Sequence, residues 1–128
     1  MIKQKALYVI LGLLGAVLWA YGVDAIYFFV GQEGVKYDLI MDCVVSPVWE
    51  TAAYVYAPLT IAKKLGDDYV VPVAVFSSFM FGWGHGEVVD GVLLQGVLGL
   101  IFSWVFLNAG FGASLVVHIL YNVTFTIL

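Results

Sequence analysis

His118-Ile-Leu-Tyr-Asn122 sets an imidazole and an amide four residues apart in the last apolar stretch of a very hydrophobic chain. A helix returns a side chain to the same face after one turn, so the two groups share a face. Inside lipid such groups are costly unless they pair or react. Two more groups of this kind are at hand: Glu50 in an earlier apolar stretch, and His85 at the end of Phe81-Gly82-Trp83-Gly84-His85. A carboxylate, two imidazoles and an amide are the parts needed to activate a water and bind an oxyanion. Each also has a structural use. Glu50 can sit protonated between helices, His85 can be an interfacial histidine, and His118 with Asn122 can form a helix–helix clasp.

Five apolar stretches must position these groups: Ala6–Val30, Tyr37–Ala62, Tyr69–His85, Val88–Leu107 and Phe111–Leu128. Crossing a ~30 Å hydrocarbon core takes roughly 20 residues at ~1.5 Å per residue. The expected fold is therefore an all-α integral membrane protein, a bundle of about five transmembrane helices in a single domain spanning residues 1–128. The connectors Gly31–Lys36, Lys63–Asp68, Gly86-Glu87 and Asn108–Gly110 all carry glycine, as turns do. Ser46-Pro47 precedes Glu50, and a proline there is expected to kink or interrupt its helix. Counted from Tyr37, Glu50 lies ~20 Å along its axis, the only acid far from a membrane surface. Gly12 with Gly15, Ala52 with Ala53 and Gly96 with Gly99 are expected to let helices pack closely.

Composition agrees with lipid as the solvent. Of 128 residues, 63% are hydrophobic and 11% charged, and the mean hydropathy is +1.03. A soluble domain of this length cannot hide so much apolar surface. The sequence contains no arginine and its five lysines form no patch, which argues against nucleic-acid binding. Cys43 is the single cysteine, so no intrachain disulfide forms. Met1–Lys5 followed by an apolar run resembles a signal peptide, but the run continues well beyond a signal core, and a retained helix is expected. Lys3 and Lys5 precede the first stretch and Lys63 and Lys64 follow the second, so the positive-inside rule places both pairs in the cytoplasm. The amino terminus is then cytoplasmic and the carboxyl terminus outside. Ideal helix lengths leave the histidines at unequal depths. Tilt, or a third helix beginning below the surface, must absorb about one to two turns for them to meet.

The order of the polar groups carries a family resemblance. Pro47-Val-Trp-Glu50 is similar to the first motif of the CAAX-protease and bacteriocin-processing (CPBP, or abortive-infection) family of intramembrane proteases. Phe81-Gly-Trp-Gly-His85 resembles its second motif, and His118-Ile-Leu-Tyr-Asn122 its last. Gln95-Gly96-Val-Leu-Gly99, running through Gly110 and Ser114, resembles its penultimate helix and loop. The resemblance covers about 46–128. Thr51 and Val55 stand where the family's first motif carries a second glutamate and an arginine. These two positions are one turn apart and could hold an ion pair, so their joint replacement strands no buried charge.

The resemblance implies an intramembrane endopeptidase acting on a membrane-associated peptide or protein. Glu50 would be the general base, His85 would help hold the attacking water, and His118 and Asn122 would stabilise the oxyanion. The reading leans to catalysis without a cofactor. The alternative is one divalent metal such as zinc on Glu50, His85 and His118. Two rival functions remain open: a non-catalytic membrane component, as an immunity factor or a small subunit of a membrane complex, and a proton or ion path. Apart from the lipid bilayer and such complex partners, no further partner is implied.

Overall fold

The computed structural model describes residues 1–30, 40–86 and 88–127, and these are almost entirely helical, with no strand among them. The expected connector at Gly31–Lys36, the start of the second stretch at Tyr37, Asp38, Glu87 and Leu128 lie outside the described residues. The described segments join into five rods. They are α1 (Ile2–Val30), α2 (41–65), α3 (Val70–Trp83), α4 (88–109) and α5 (Phe111–Ile127). A 3₁₀ turn at Asp67–Tyr69 leads into α3.

Proline shapes α2, though not as a break. The rod runs through a π-helical turn at Met41–Val45, an α-helical segment at Ser46–Glu50, a second π-helical stretch at Thr51–Tyr56 and an α-helical end at Ala57–Leu65, with helical dihedrals at every junction. Proline has no N–H and its ring crowds the carbonyl four residues back. Widening the helix before Pro47 and again before Pro58 relieves that crowding while the rod continues. Each widening leaves a carbonyl in need of a donor. The Ser46 amide bonds to the Met41 carbonyl, so the next bond in that register would fall from Pro47 to Asp42, and Pro47 has nothing to donate. The Asp42 carbonyl is met instead by the side-chain amide of Asn122 on α5. In the second widened stretch, just before Pro58, the Tyr54 carbonyl accepts from the Ser77 hydroxyl on α3. The widened stretches before the prolines thus tie α2 to its neighbours.

Two turns set the heights of the rods. Gly66 (φ 142°) ends α2 and Gly110 (φ 93°) ends α4, both in backbone conformations that only glycine adopts without strain. Glu50 and His85 lie equally far from the first turn in sequence, one before Leu65 and one after Val70, so the antiparallel pair brings them level. The second turn sits deeper. Phe111 packs on Tyr56, with ring centroids 5.3 Å apart, and Tyr56 is two turns above Lys63 in α2. This offset, about 10 Å at ~1.5 Å per residue, matches the one to two turns that the unequal depths of the histidines required, but it falls at the start of α5 and not of the third helix, because the Gly110 turn is the deeper one.

Small residues allow the closest approaches. A side chain at Gly82 would collide with the Gly91 carbonyl and the Gly96 amide. Gly99 packs on Ser78 and Phe81, and Gly12 of α1 lies against Val105 of α4. Gly15, by contrast, meets only the tip of Ile101 at 3.9 Å, and Ala52 and Ala53 are half-buried. The core joins Leu59, Leu98, Phe102, Val105 and Val117, all fully buried. Outside it lie many exposed large apolar side chains, including Leu18, Trp49, Phe76 and Trp83. By length and composition, Ile2–Val23 and Gly91–Ala109 are able to cross a membrane, and Phe111–Thr126 is a shorter apolar helix.

Candidate functional site

Glu50 lies between two imidazoles. Its Oε1 is 3.6 Å from Nε2 of His85, and its Oε2 is 3.4 Å from Nε2 of His118. Three rods supply these groups: Glu50 from α2, His85 from the turn that follows α3, and His118 from the middle of α5. They face a cavity of about 100 Å³ that Asn122, Asp42 and Gln95 also line. That volume holds roughly three waters at ~30 Å³ each. All four residues singled out from the sequence are therefore brought together. Asn122 differs in one respect, since one N–H of its amide is already committed to the Asp42 carbonyl.

The two rings are held differently. His85 donates from Nδ1 to the Phe81 carbonyl at 2.8 Å, one turn back. In the neutral ring that bond leaves the Nε2 lone pair directed at the Glu50 side of the cavity. Phe81 also meets the His85 ring edge-on, with centroids 4.7 Å apart. The shared face of Phe81 and His85 is thus used twice. His118 is only 2% exposed. Phe102 stacks on it at 4.3 Å, inclined by 23°, and Phe81 meets it edge-on at 5.9 Å. Its Nδ1 lies 3.0 Å from the hydroxyl of Thr51. Ser114, one turn before His118, donates to the Phe102 carbonyl at 2.9 Å and fixes the stacked partner.

At 3.4 and 3.6 Å the Glu50 contacts are longer than typical direct hydrogen bonds. A water in the cavity within reach of both Glu50 and Nε2 of His85 would meet two acceptors, which is the demand a water with two hydrogens satisfies. Chemically the arrangement offers a carboxylate to take a proton, a ring nitrogen to orient the water, and donors on His118 and Asn122 across the cavity.

Thr51, Asp42 and Gln95 were not singled out as site residues. Asp42 and Ser46 precede Glu50 at intervals of four residues, and that spacing on one helix face was the available signal. Thr51 carried a signal only as a replacement within the first motif. The residue paired with it in that motif, Val55, is buried in the core, so the site contains neither the charge of a second glutamate nor that of an arginine.

By geometry, the fold and the site define a class of helical bundle with an acid–imidazole cluster set inside it. The chain matches the family described as Type II CAAX prenyl endopeptidase Rce1-like over residues 33–124, and belongs to that family. The match takes in all four cavity groups and agrees with the resemblance read from the Pro47, Phe81 and His118 motifs. All of α1 precedes it. No curated protein and no solved structure matches the chain.

Proposed function

We propose that this chain is an intramembrane endopeptidase that hydrolyses a peptide bond in a membrane-associated substrate. The observation that carries the reading is one carboxylate shared between two imidazoles in a water-sized cavity. In this reading Glu50 takes a proton from a water that the Nε2 lone pair of His85 helps to hold. The water attacks the scissile carbonyl as His118 donates from Nε2 to its oxygen. The second N–H of Asn122, the one not bonded to Asp42, adds a further donor. The proton held by Glu50 then passes to the leaving amine, so the carboxylate serves as base and then as acid.

The mechanism is proposed without a metal. Among the described residues no group of three or more His, Cys, Asp or Glu side chains is arranged to hold one, and the two ring nitrogens address opposite oxygens of Glu50. If a divalent ion such as zinc takes part, Glu50, His85 and His118 are the residues that would hold it. Family membership supports protease-type activity. The exposed apolar side chains on every rod support a five-helix bundle immersed in lipid as one domain. The lysine pairs Lys3/Lys5 and Lys63/Lys64 support an amino terminus in the cytoplasm and a carboxyl terminus outside.

The test uses purified protein in proteoliposomes carrying a library of membrane-anchored peptides. Wild type is expected to cleave, and to do so equally well in the presence of a metal chelator. Glu50→Gln keeps shape and hydrogen bonding but removes the base, so it is expected to abolish turnover with the fold intact. Cleavage that survives Glu50→Gln would overturn the mechanism. Chelator-sensitive cleavage restored by zinc would replace it with the metal-dependent form. No cleavage by wild type across a broad library would favour the non-catalytic role.

A further inference from the structure

We infer that Thr51 is a positioning residue whose hydroxyl donates to Nδ1 of His118 and so holds that ring with its proton on Nε2, the donor that faces Glu50. The catalytic consequence rests on the proposed protease reading; the placement of the proton does not. Thr51 is fully buried and its Oγ1 lies 3.0 Å from Nδ1. The ring plane is set by Phe102 on its face and Phe81 at its edge. Two polar groups then flank the imidazole: the Thr51 hydroxyl within hydrogen-bond distance of Nδ1, and the Glu50 carboxylate 3.4 Å from Nε2.

These two partners are not equivalent. An ionised carboxylate only accepts, whereas a hydroxyl both donates and accepts. A lone pair on Nε2 would face the lone pairs of Glu50 and be repelled, so Nε2 carries the hydrogen. The neutral ring then has its lone pair on Nδ1, and Thr51 must be the donor. His85 has the opposite form, because the Phe81 carbonyl only accepts and draws the hydrogen to Nδ1. In their neutral forms the two histidines flank the carboxylate in opposite tautomers: at His85 the Phe81 carbonyl draws the hydrogen to Nδ1, and at His118 Glu50 favours it on Nε2 while the Thr51 hydroxyl donates to the lone pair left on Nδ1. One ring therefore accepts from the water and the other donates to the carbonyl oxygen. A threonine suits the task, since its β-branched side chain has few rotamers and carries no charge into the core.

The chain has two histidines, so ring ¹⁵N spectra of ¹⁵N-histidine-labelled protein are simple to assign with His85→Gln. His118 is expected to show the Nε2–H form and His85 the Nδ1–H form. Thr51→Val keeps the shape and removes the hydroxyl. It is expected to lose the fixed Nε2–H signature of His118 and to lower kcat by about 10–100-fold, the usual loss for an outer partner, with KM unchanged. Thr51→Ser is expected to restore both readouts, and Thr51→Ala replaces the valine variant if that does not fold. An Nδ1–H form of His118 in wild type, or a His118 spectrum unaltered by removing the hydroxyl, would overturn the inference. Absence of any cleavage by wild type with the expected spectra would leave the tautomer assignment standing and remove the protease reading instead.

Discussion

In the proposed mechanism Asn122 would serve two purposes through one amide. Its bond to Asp42 supplies the donor that Pro47 cannot, and its second N–H would face the oxyanion. Asn122→Ala is therefore expected to lower the cleavage rate by roughly 10²–10³, the typical loss for one oxyanion donor. It should also destabilise the fold by about 1 kcal/mol, because a partly buried carbonyl loses a donor. Rate assays and SDS-titration unfolding separate the two effects, and a rate loss with no stability loss would show that the Asp42 bond is dispensable. Glu50, His85, His118 and Asn122 were legible in the sequence because ionisable and amide groups stand out against apolar surroundings, where each needs a reason. Thr51 was not. A threonine is unremarkable in a membrane helix, and its importance depends on which ring nitrogen lies opposite it, a fact of packing between α2 and α5. Asp42 was passed over for its place near the end of an apolar stretch, although its spacing from Glu50 puts both on one face.

At the scale of the element, the described helices follow the apolar stretches closely, since glycine-bearing connectors punctuate them and helices are the natural way to satisfy a backbone in an apolar setting. What the pattern could not reveal is the π-helical widening of α2 and α4, which depends on where the freed carbonyls find donors. The pairing of Ser77 with Tyr54 illustrates this. Ser77→Ala removes the donor to a carbonyl in the widened stretch before Pro58, and is expected to cost about 1 kcal/mol. Thr124 makes the contrasting bond, donating back to Leu120 within its own helix at an exposed position. Thr124→Ala is expected to change stability by less than about 0.5 kcal/mol. SDS-titration unfolding of both variants checks the pair, and equal effects would remove the argument that carbonyls of the widened stretches tie the rods together.

For the molecule as a whole, the two glycine turns at different heights explain how groups from three rods meet. In the proposed orientation, with the amino terminus cytoplasmic, the Lys63–Lys64 end of α2 would face the cytoplasm and the start of α4 the other side. Single cysteines at Lys64 and Val88, in a Cys43→Ala background, are expected to react with a membrane-impermeant thiol reagent from opposite faces of sealed vesicles. Labelling from the same face would contradict the five-span arrangement. The function rests on a more demanding claim, that a water placed by Glu50 and His85 adds to a peptide carbonyl within the bundle. Mass spectrometry of peptides cleaved in H₂¹⁸O addresses it most directly, with wild type and Glu50→Gln compared side by side. The account predicts that wild type yields a fragment with one ¹⁸O in its new terminal carboxylate, and that folded Glu50→Gln yields none. The same labelled fragment from Glu50→Gln at the wild-type rate would contradict it.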